Sequence, residues 1–371
     1  MRKTIFIYAI ISGLCFTACK NKVNDKQQDD VLVEVKRTNP LKVDSVEIRL
    51  DSESLPVYNQ GVTAMERNGI LNVLAYNPKT RNIDVFDLYS GTIDHIVIQG
   101  IEKFGLMDVF ALEVAAPDTI LAYSYPSLFI LSGSGDIIDK KDLKVEFEGK
   151  KGFLSGDVDA RPFYDSKTGD VYGLLRYDKE EDRFNSPIGV RLNINTGSYE
   201  VLPVFLDQKY KEKLKQLGYN NQFQISFYQD KAVLNYSYSS DLYVCDYASG
   251  QTTCYTTDPD EFYFVTENSS QNELMDAYVK NTFHALPFIH KDDIALLTWG
   301  PGISSVFDKK TSLNVASLSE RTIISDVLAG NDYFISSAQL TGDRLIIQRY
   351  NPNNTNDTCI SFAIVELQDN F

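Results

Sequence analysis

Histidine and tryptophan are nearly missing from this chain: His95, His284, His290 and Trp299 are all it has in 371 residues. His284 and His290 match neither the HxH nor the HExxH spacing that brings two imidazoles to one zinc, so a catalytic zinc centre is not expected. A GxSxG elbow, a GxxxxGK[ST] loop and a GxGxxG run after a strand are also lacking. Gly133-Ser134-Gly135 reads as a hairpin turn rather than a phosphate loop, because no helix follows it. Basic charge is in deficit, with 36 Lys and Arg against 51 Asp and Glu. A net charge of −15 repels phosphate backbones and excludes nucleic acid as a partner. These absences predict no catalytic residue, no metal and no cofactor. Sustained helical periodicity is missing as well, which points away from an all-α or α/β fold.

What the chain does have is a repeat. Six apolar runs each close on an aromatic: Val73 to Tyr76, Ile120 to Tyr123, Tyr172 to Tyr177, Val233 to Tyr236, Ala295 to Trp299 and Leu345 to Tyr350. The closing aromatics are 47 to 63 residues apart, a spacing in the range of propeller blades. Pro78, Pro126, Pro301 and Pro352 follow four of them, and proline ends a strand because it cannot donate to the ladder. A second strand follows each loop, at 83–87, 128–131, 188–194, 242–246, 303–307 and 362–367, and most then meet a glycine turn such as Ser90-Gly91 or Ser249-Gly250. Four antiparallel strands per unit over six units read as an all-β, six-bladed β-propeller over residues 39–371. Two tandem β-sandwiches would be the rival, but the period runs through the midpoint without a linker.

Residues 43–50 alternate apolar and polar, precede the first unit and have no partner of their own. The last unit lacks a fourth strand. The N-terminal strand is therefore expected to lie beside 362–367 and close the ring. Two short helical insertions are expected, one over Tyr210 to Leu217 ending at Gly218, the other after the capping-box spacing Ser270 to Glu273.

Residues 1–18 have the layout of an export signal: Arg2-Lys3, the apolar stretch Ile5 to Phe16, then Thr17-Ala18 before Cys19. The apolar stretch is short of the roughly 20 residues that span a bilayer. Thr17-Ala18-Cys19 resembles a bacterial lipobox, in which the cysteine is lipidated and becomes the first mature residue. Residues 19–38 begin with a polar stretch and read as a flexible tether. Lipobox, tether, closing strand and repeat together resemble the six-bladed-propeller lipoproteins of Bacteroidetes-type bacteria, and among them a domain-of-unknown-function family of predicted lipoproteins. That resemblance implies a TolB-like propeller on a lipid anchor in the outer membrane, on its periplasmic or cell-surface side. It implies no catalytic residues.

Candidate binding residues are the closing aromatics themselves, Trp299, Tyr76, Tyr123, Tyr177, Tyr236 and Tyr350, which would share one end of the ring and could stack on a sugar or an apolar ligand. Packing between blades is the competing role for the same rings. The expected function is binding of a protein or glycan on a propeller face by a monomer that touches the membrane only through its lipid. The alternative is an envelope hydrolase or lyase acting on carbohydrate, which needs a pair of carboxylates near the funnel; Glu180-Glu181-Asp182 and Asp292-Asp293 are the acidic clusters considered. Asp157 and Asp159 share a strand face but lack the run of oxygens a calcium site needs. Cys245 and Cys254 flank Ser249-Gly250: a two-residue turn would set them opposite each other, and a three-residue turn would send them to opposite faces.

Overall fold

The second strand of each unit is where the architecture begins. In Ile70–Asn77, the residues Val73, Leu74, Ala75 and Tyr76 are all at most 2% exposed, so this strand is buried on both faces. Val73 and Ala75 pack with Ile48, Ile346 and Phe362 on one side, whereas Leu74 and Tyr76 pack with Leu112, Ile120 and Phe129 on the other. A strand buried on both faces reads as a continuous apolar run, and this one sits between two neighbouring blades.

The computed structural model describes residues 29–32, 34–37, 43–67, 69–156, 160–208, 210–212, 223–236, 239, 241–256, 270–291, 293–300, 302, 309–319, 322–328, 332–349 and 358–367. They form six sheets arranged as a six-bladed β-propeller. Blade 1 is Val62–Arg67, Ile70–Asn77, Asn82–Asp87 and Ile93–Val97, and blade 2 is Ala111–Ala116, Thr119–Ser124, Ser127–Ser132 and Ile137–Asp142. Blade 3 is built on Asp170–Tyr177, Gly189–Asn193 and Tyr199–Leu202; its inner position is shared by Lys150–Ser155 and Phe163–Asp165, each pairing with one half of Asp170–Tyr177. Blade 4 comprises Phe223–Phe227, Lys231–Tyr236, Leu242–Asp246 and Thr252–Thr256. Blade 5 has Phe283–His284 and Phe288–His290 inside Asp293–Trp299, then Thr311–Ser317 and Thr322–Val327.

Blade 6 contains Gln339–Thr341, Arg344–Arg349 and Cys359–Glu366, and its outermost strand is Val43–Arg49. That strand runs antiparallel to Cys359–Glu366, with Val46 opposite Phe362, and Leu50 extends the ladder by donating its N–H to Thr358 O. The closure expected from the sequence is the closure observed. Each of the six apolar clusters joins one pair of sequential blades, and the cluster of Ile48, Phe362, Tyr58 and Phe86 joins blade 6 to blade 1. A tandem sandwich has no such interface.

Three readings change. Residues 29–32 and 34–37, assigned to the tether, are strands that add in parallel to the outer edges of blade 4 and blade 5, against Thr252–Thr256 and Thr322–Val327. Pairing at an open sheet edge satisfies backbone N–H and C=O groups, so it does not require apolar side chains and leaves little trace in composition. Residues 303–307 lie outside the described residues; the strand that pairs with Asp293–Trp299 on its outer side is Thr311–Ser317. The loop between Leu242–Asp246 and Thr252–Thr256 is longer than either turn considered, so Cys245 faces Thr252 while Tyr243 faces Cys254. The two thiols therefore sit diagonally on one sheet face, both buried in the blade 3–4 core.

The helix Gln271–Lys280 carries its capping box as expected: Glu273 N–H donates to Ser270 Oγ at 3.3 Å, and Ser270 N–H donates to Glu273 Oε2 at 2.7 Å. Of the other insertion only its first turn is described, and there Tyr210 is fully buried against Tyr236.

Candidate functional site

The first strands of the blades surround the propeller axis and enclose a cavity of about 270 Å³ lined from all six blades. Its walls are mixed: Phe110, Phe163, Leu286 and Phe288 supply apolar surface, and Asn59, Gln60, Thr63 and Gln339 supply neutral polar groups. Among the described lining residues only Glu113 and Arg161 carry charge.

Glu113 occupies the middle of the first strand of blade 2. Its Oε1 accepts the N–H of Tyr164 at 2.7 Å and its Oε2 accepts the hydroxyl of Tyr123 at 3.0 Å, which ties blade 2 to blade 3. Burial pushes its carboxyl up to about 7, against the opposing pull of those two donors and of Arg161. Arg161 reaches the axis because the chain briefly leaves blade 3. Ala160–Arg161 pairs in parallel with the first strand of blade 4, Arg161 opposite Ser226. The guanidinium donates from Nη2 to Ala338 O of blade 6 at 2.9 Å and lies 3.9 Å from the ring centroid of Phe288 in blade 5. Burial lowers its pKa to about 10. Nearby, Tyr228 stacks on Phe163 at 5.3 Å and donates its hydroxyl to Ile289 O at 2.7 Å.

A second hollow of about 260 Å³ adjoins this one through Phe110, which lines both. It lies between blades 2 and 3 where their second strands end. Tyr125 and Phe153 form its aromatic wall, their centroids 4.0 Å apart. Tyr125 is 50% exposed, and Met107, whose carbonyl accepts the hydroxyl of Tyr76, is 71% exposed on the same end of the ring.

The closing aromatics do end their strands on one face, but they do not point alike. Tyr76 and Tyr123 face the following blade, while Tyr177 and Tyr236 face the preceding one. All four are buried, and each hydroxyl is engaged: Tyr76 with Met107 O, Tyr123 with Glu113, Tyr177 with Pro187 O and Tyr236 with the N–H of Asp207. They pack between blades and offer no ring to solvent. Trp299 is half-buried against the blade 5–6 core, with the buried Lys309 ammonium 5.3 Å from its ring centroid, rather than displayed on a turn. Tyr350, Cys19, Asp157, Asp159 and Asp292 lie outside the described residues.

The other candidates are dispersed. Glu180–Phe184 is a 3₁₀ turn in which Glu180 pairs with Arg183 at 2.7 Å, and His290 Nε2 meets Asp343 at 2.7 Å. His95 holds a position the sequence did not suggest. Its Nδ1 lies 2.8 Å from Asp84 and its Nε2 2.9 Å from Asp51, so it bridges blade 1 to the loop that leaves the closing strand. Glu113 did leave a signal: it is the one charge in the otherwise apolar run Ala111 to Ala116. Arg161 left none, since nothing in its neighbourhood marks a residue that crosses to another sheet. Among the described residues no helix is long and apolar enough to cross a membrane.

No protein-family model matches the chain, and no curated protein matches it. In fold it is similar to a member of the DUF4221 family from Bacteroides vulgatus, with a TM-score of 0.68 and 16% sequence identity over 88% of this chain and 98% of that one. It is also similar to a protein of Bacteroides fragilis described as exported, with a TM-score of 0.52 and 10% identity over 91% of this chain and 99% of that one. At these identities the likeness is one of fold, and it extends the resemblance already carried by the layout of the sequence.

Proposed function

We propose that this chain is a binding protein of the cell envelope, anchored in the outer membrane by a lipid on Cys19, that holds a protein or glycan on the propeller face where the second strands end. The observation that carries this reading is the apolar rim of that face. Met107 and Tyr125 stand exposed beside two adjoining hollows on a rigid ring, and function concentrates on such loop positions. Hydrolysis of a glycan calls for two carboxylates at a working separation, and the described lining of the axial cavity has Glu113 alone. Ten residue steps from Cys19 to Asp29 reach at most about 35 Å.

Two experiments test this. The double substitution Met107→Asp and Tyr125→Asp alters exposed side chains and is expected to leave folding intact. A pull-down from envelope extract should retrieve a partner with the wild-type protein and lose it with the double variant. Equal recovery by both proteins, or by neither, removes the binding face from consideration. The anchor is tested separately by Cys19→Ala. Loss of acyl chains that each bury many methylenes, at about 0.8 kcal/mol apiece, should move the protein from the membrane pellet to the supernatant. A variant that still sediments with membranes in high salt contradicts lipidation.

A further inference from the structure

We propose that the axial cavity binds a small organic carboxylate, with the Arg161 guanidinium as its anchor. This site is separate from the outer rim and does not depend on what that rim holds. Arg161 is the only cation among the described lining residues of a cavity bounded by all six blades. Among the described residues it gives one hydrogen bond, from Nη2 to Ala338 O, and it lies over the ring of Phe288. Those two contacts fix the plane of the guanidinium, while among the described residues no acceptor engages Nε or Nη1. Among the described residues no carboxylate forms an ion pair with it; Glu113 acts on it through space, with both of its own oxygens engaged by Tyr164 and Tyr123. A half-buried arginine held over an aromatic ring, with donors that no described residue engages, can accept a carboxylate side-on.

The walls define the rest of the ligand. Phe110, Phe163, Leu286 and Phe288 offer a surface for an aryl or short alkyl body. At about 270 Å³ the cavity lies just below the usual range of ligand pockets, roughly 300–1,000 Å³, which restricts it to a small molecule. An inorganic anion would leave Phe110, Phe163, Leu286 and Phe288 uncovered. Glu113 makes the site sensitive to pH. It is faced by Tyr123, Tyr164, Tyr228 and Arg161, and by no second carboxylate among the described residues. When Glu113 is protonated the cavity carries the arginine charge alone; when it ionises, near pH 7, it repels an incoming anion. Affinity should therefore fall as pH rises through that value.

The test uses the full-length protein with benzoate and its uncharged isostere benzamide, followed by ligand-observed NMR at pH 6 and pH 8. Benzoate is expected to bind at least tenfold tighter than benzamide at pH 6, and to weaken several-fold at pH 8 while benzamide is unchanged. Arg161→Gln should remove the preference for benzoate and leave benzamide binding as it was; Arg161→Lys should keep part of it. Equal affinities of the two probes for the wild type, or no benzoate binding up to about 10 mM, overturn the proposal, and neither outcome requires a variant to fold. An Arg161→Gln protein that folds and keeps the tenfold preference overturns it equally.

Discussion

Replacing Ile48 by aspartate is expected to unfold the whole ring and not one blade. Ile48 is fully buried in the outermost strand of blade 6, opposite Ile360, in the cluster that joins the last blade to the first. An unpaired carboxylate there loses the apolar contacts and has to be desolvated, at a cost of about 4 kcal/mol or more. Domain stabilities are roughly 5–15 kcal/mol, so the loss is comparable to the total. Urea titration followed by circular dichroism should show one cooperative transition moved far toward zero denaturant. Glu47→Ala, at an exposed position of the same strand, should shift the midpoint by less than about 0.5 kcal/mol. Truncation through residue 50 should cost at least as much as Ile48→Asp, because it removes the same strand and also uncovers the outer edges of blades 4 and 5. A variant in which only part of the signal is lost, with the remainder melting normally, would mean that the blades are stabilised independently and that closure is dispensable.

The second large effect is expected at Asp84. Its carboxylate is completely buried and accepts the hydroxyl of Tyr58, the side-chain N–H of Asn77 at 2.8 Å and the Nδ1 of His95 at 2.8 Å. Asp84→Ala leaves these three groups without their acceptor and should destabilise the protein by about 3–5 kcal/mol. The same cluster gives stability a pH window. Burial opposes the charge of His95, but its bonds to Asp84 and Asp51 outweigh that and raise its pKa above 6.5. Its contribution is therefore complete below pH 6.5 and fades as pH rises through the folded value. For Asp51, burial opposes ionisation, yet the N–H of Ser54, the ring of His95 and the N–H of Glu53 together hold it down to about 2 from 3.8. Its contribution is present above pH 3.8 and fades as pH falls toward 2. The latch is thus strongest between about pH 4 and 6.5. In urea melts, the penalty of His95→Asn should be larger at pH 5.5 than at pH 8.5. A penalty independent of pH would mean that folding leaves the pKa of His95 unshifted.

Much of the architecture was determined by local sequence alone. A run such as Val73 to Tyr76 leaves no face for water, so it must be a strand between two layers, and six such runs at blade spacing require a ring. The missing fourth strand of the last unit and the unpaired residues 43–50 made the closure legible, because open edges and orphan strands have to meet. Tertiary structure alone decided which side each closing aromatic faces. Strand position sets the end of the ring, but a shift of one residue between units sends Tyr76 forward and Tyr177 back, and no spacing of aromatics reveals that. The pairing of residues 29–37 with blades 4 and 5 rests on backbone groups that every sequence carries. Glu113 and Arg161 share the axis, and His95 sits between Asp84 and Asp51, because distant strands were brought there by ring geometry. A charge that looks solvated in the sequence becomes a site only when the fold removes its water, and that removal is a property of the closed ring.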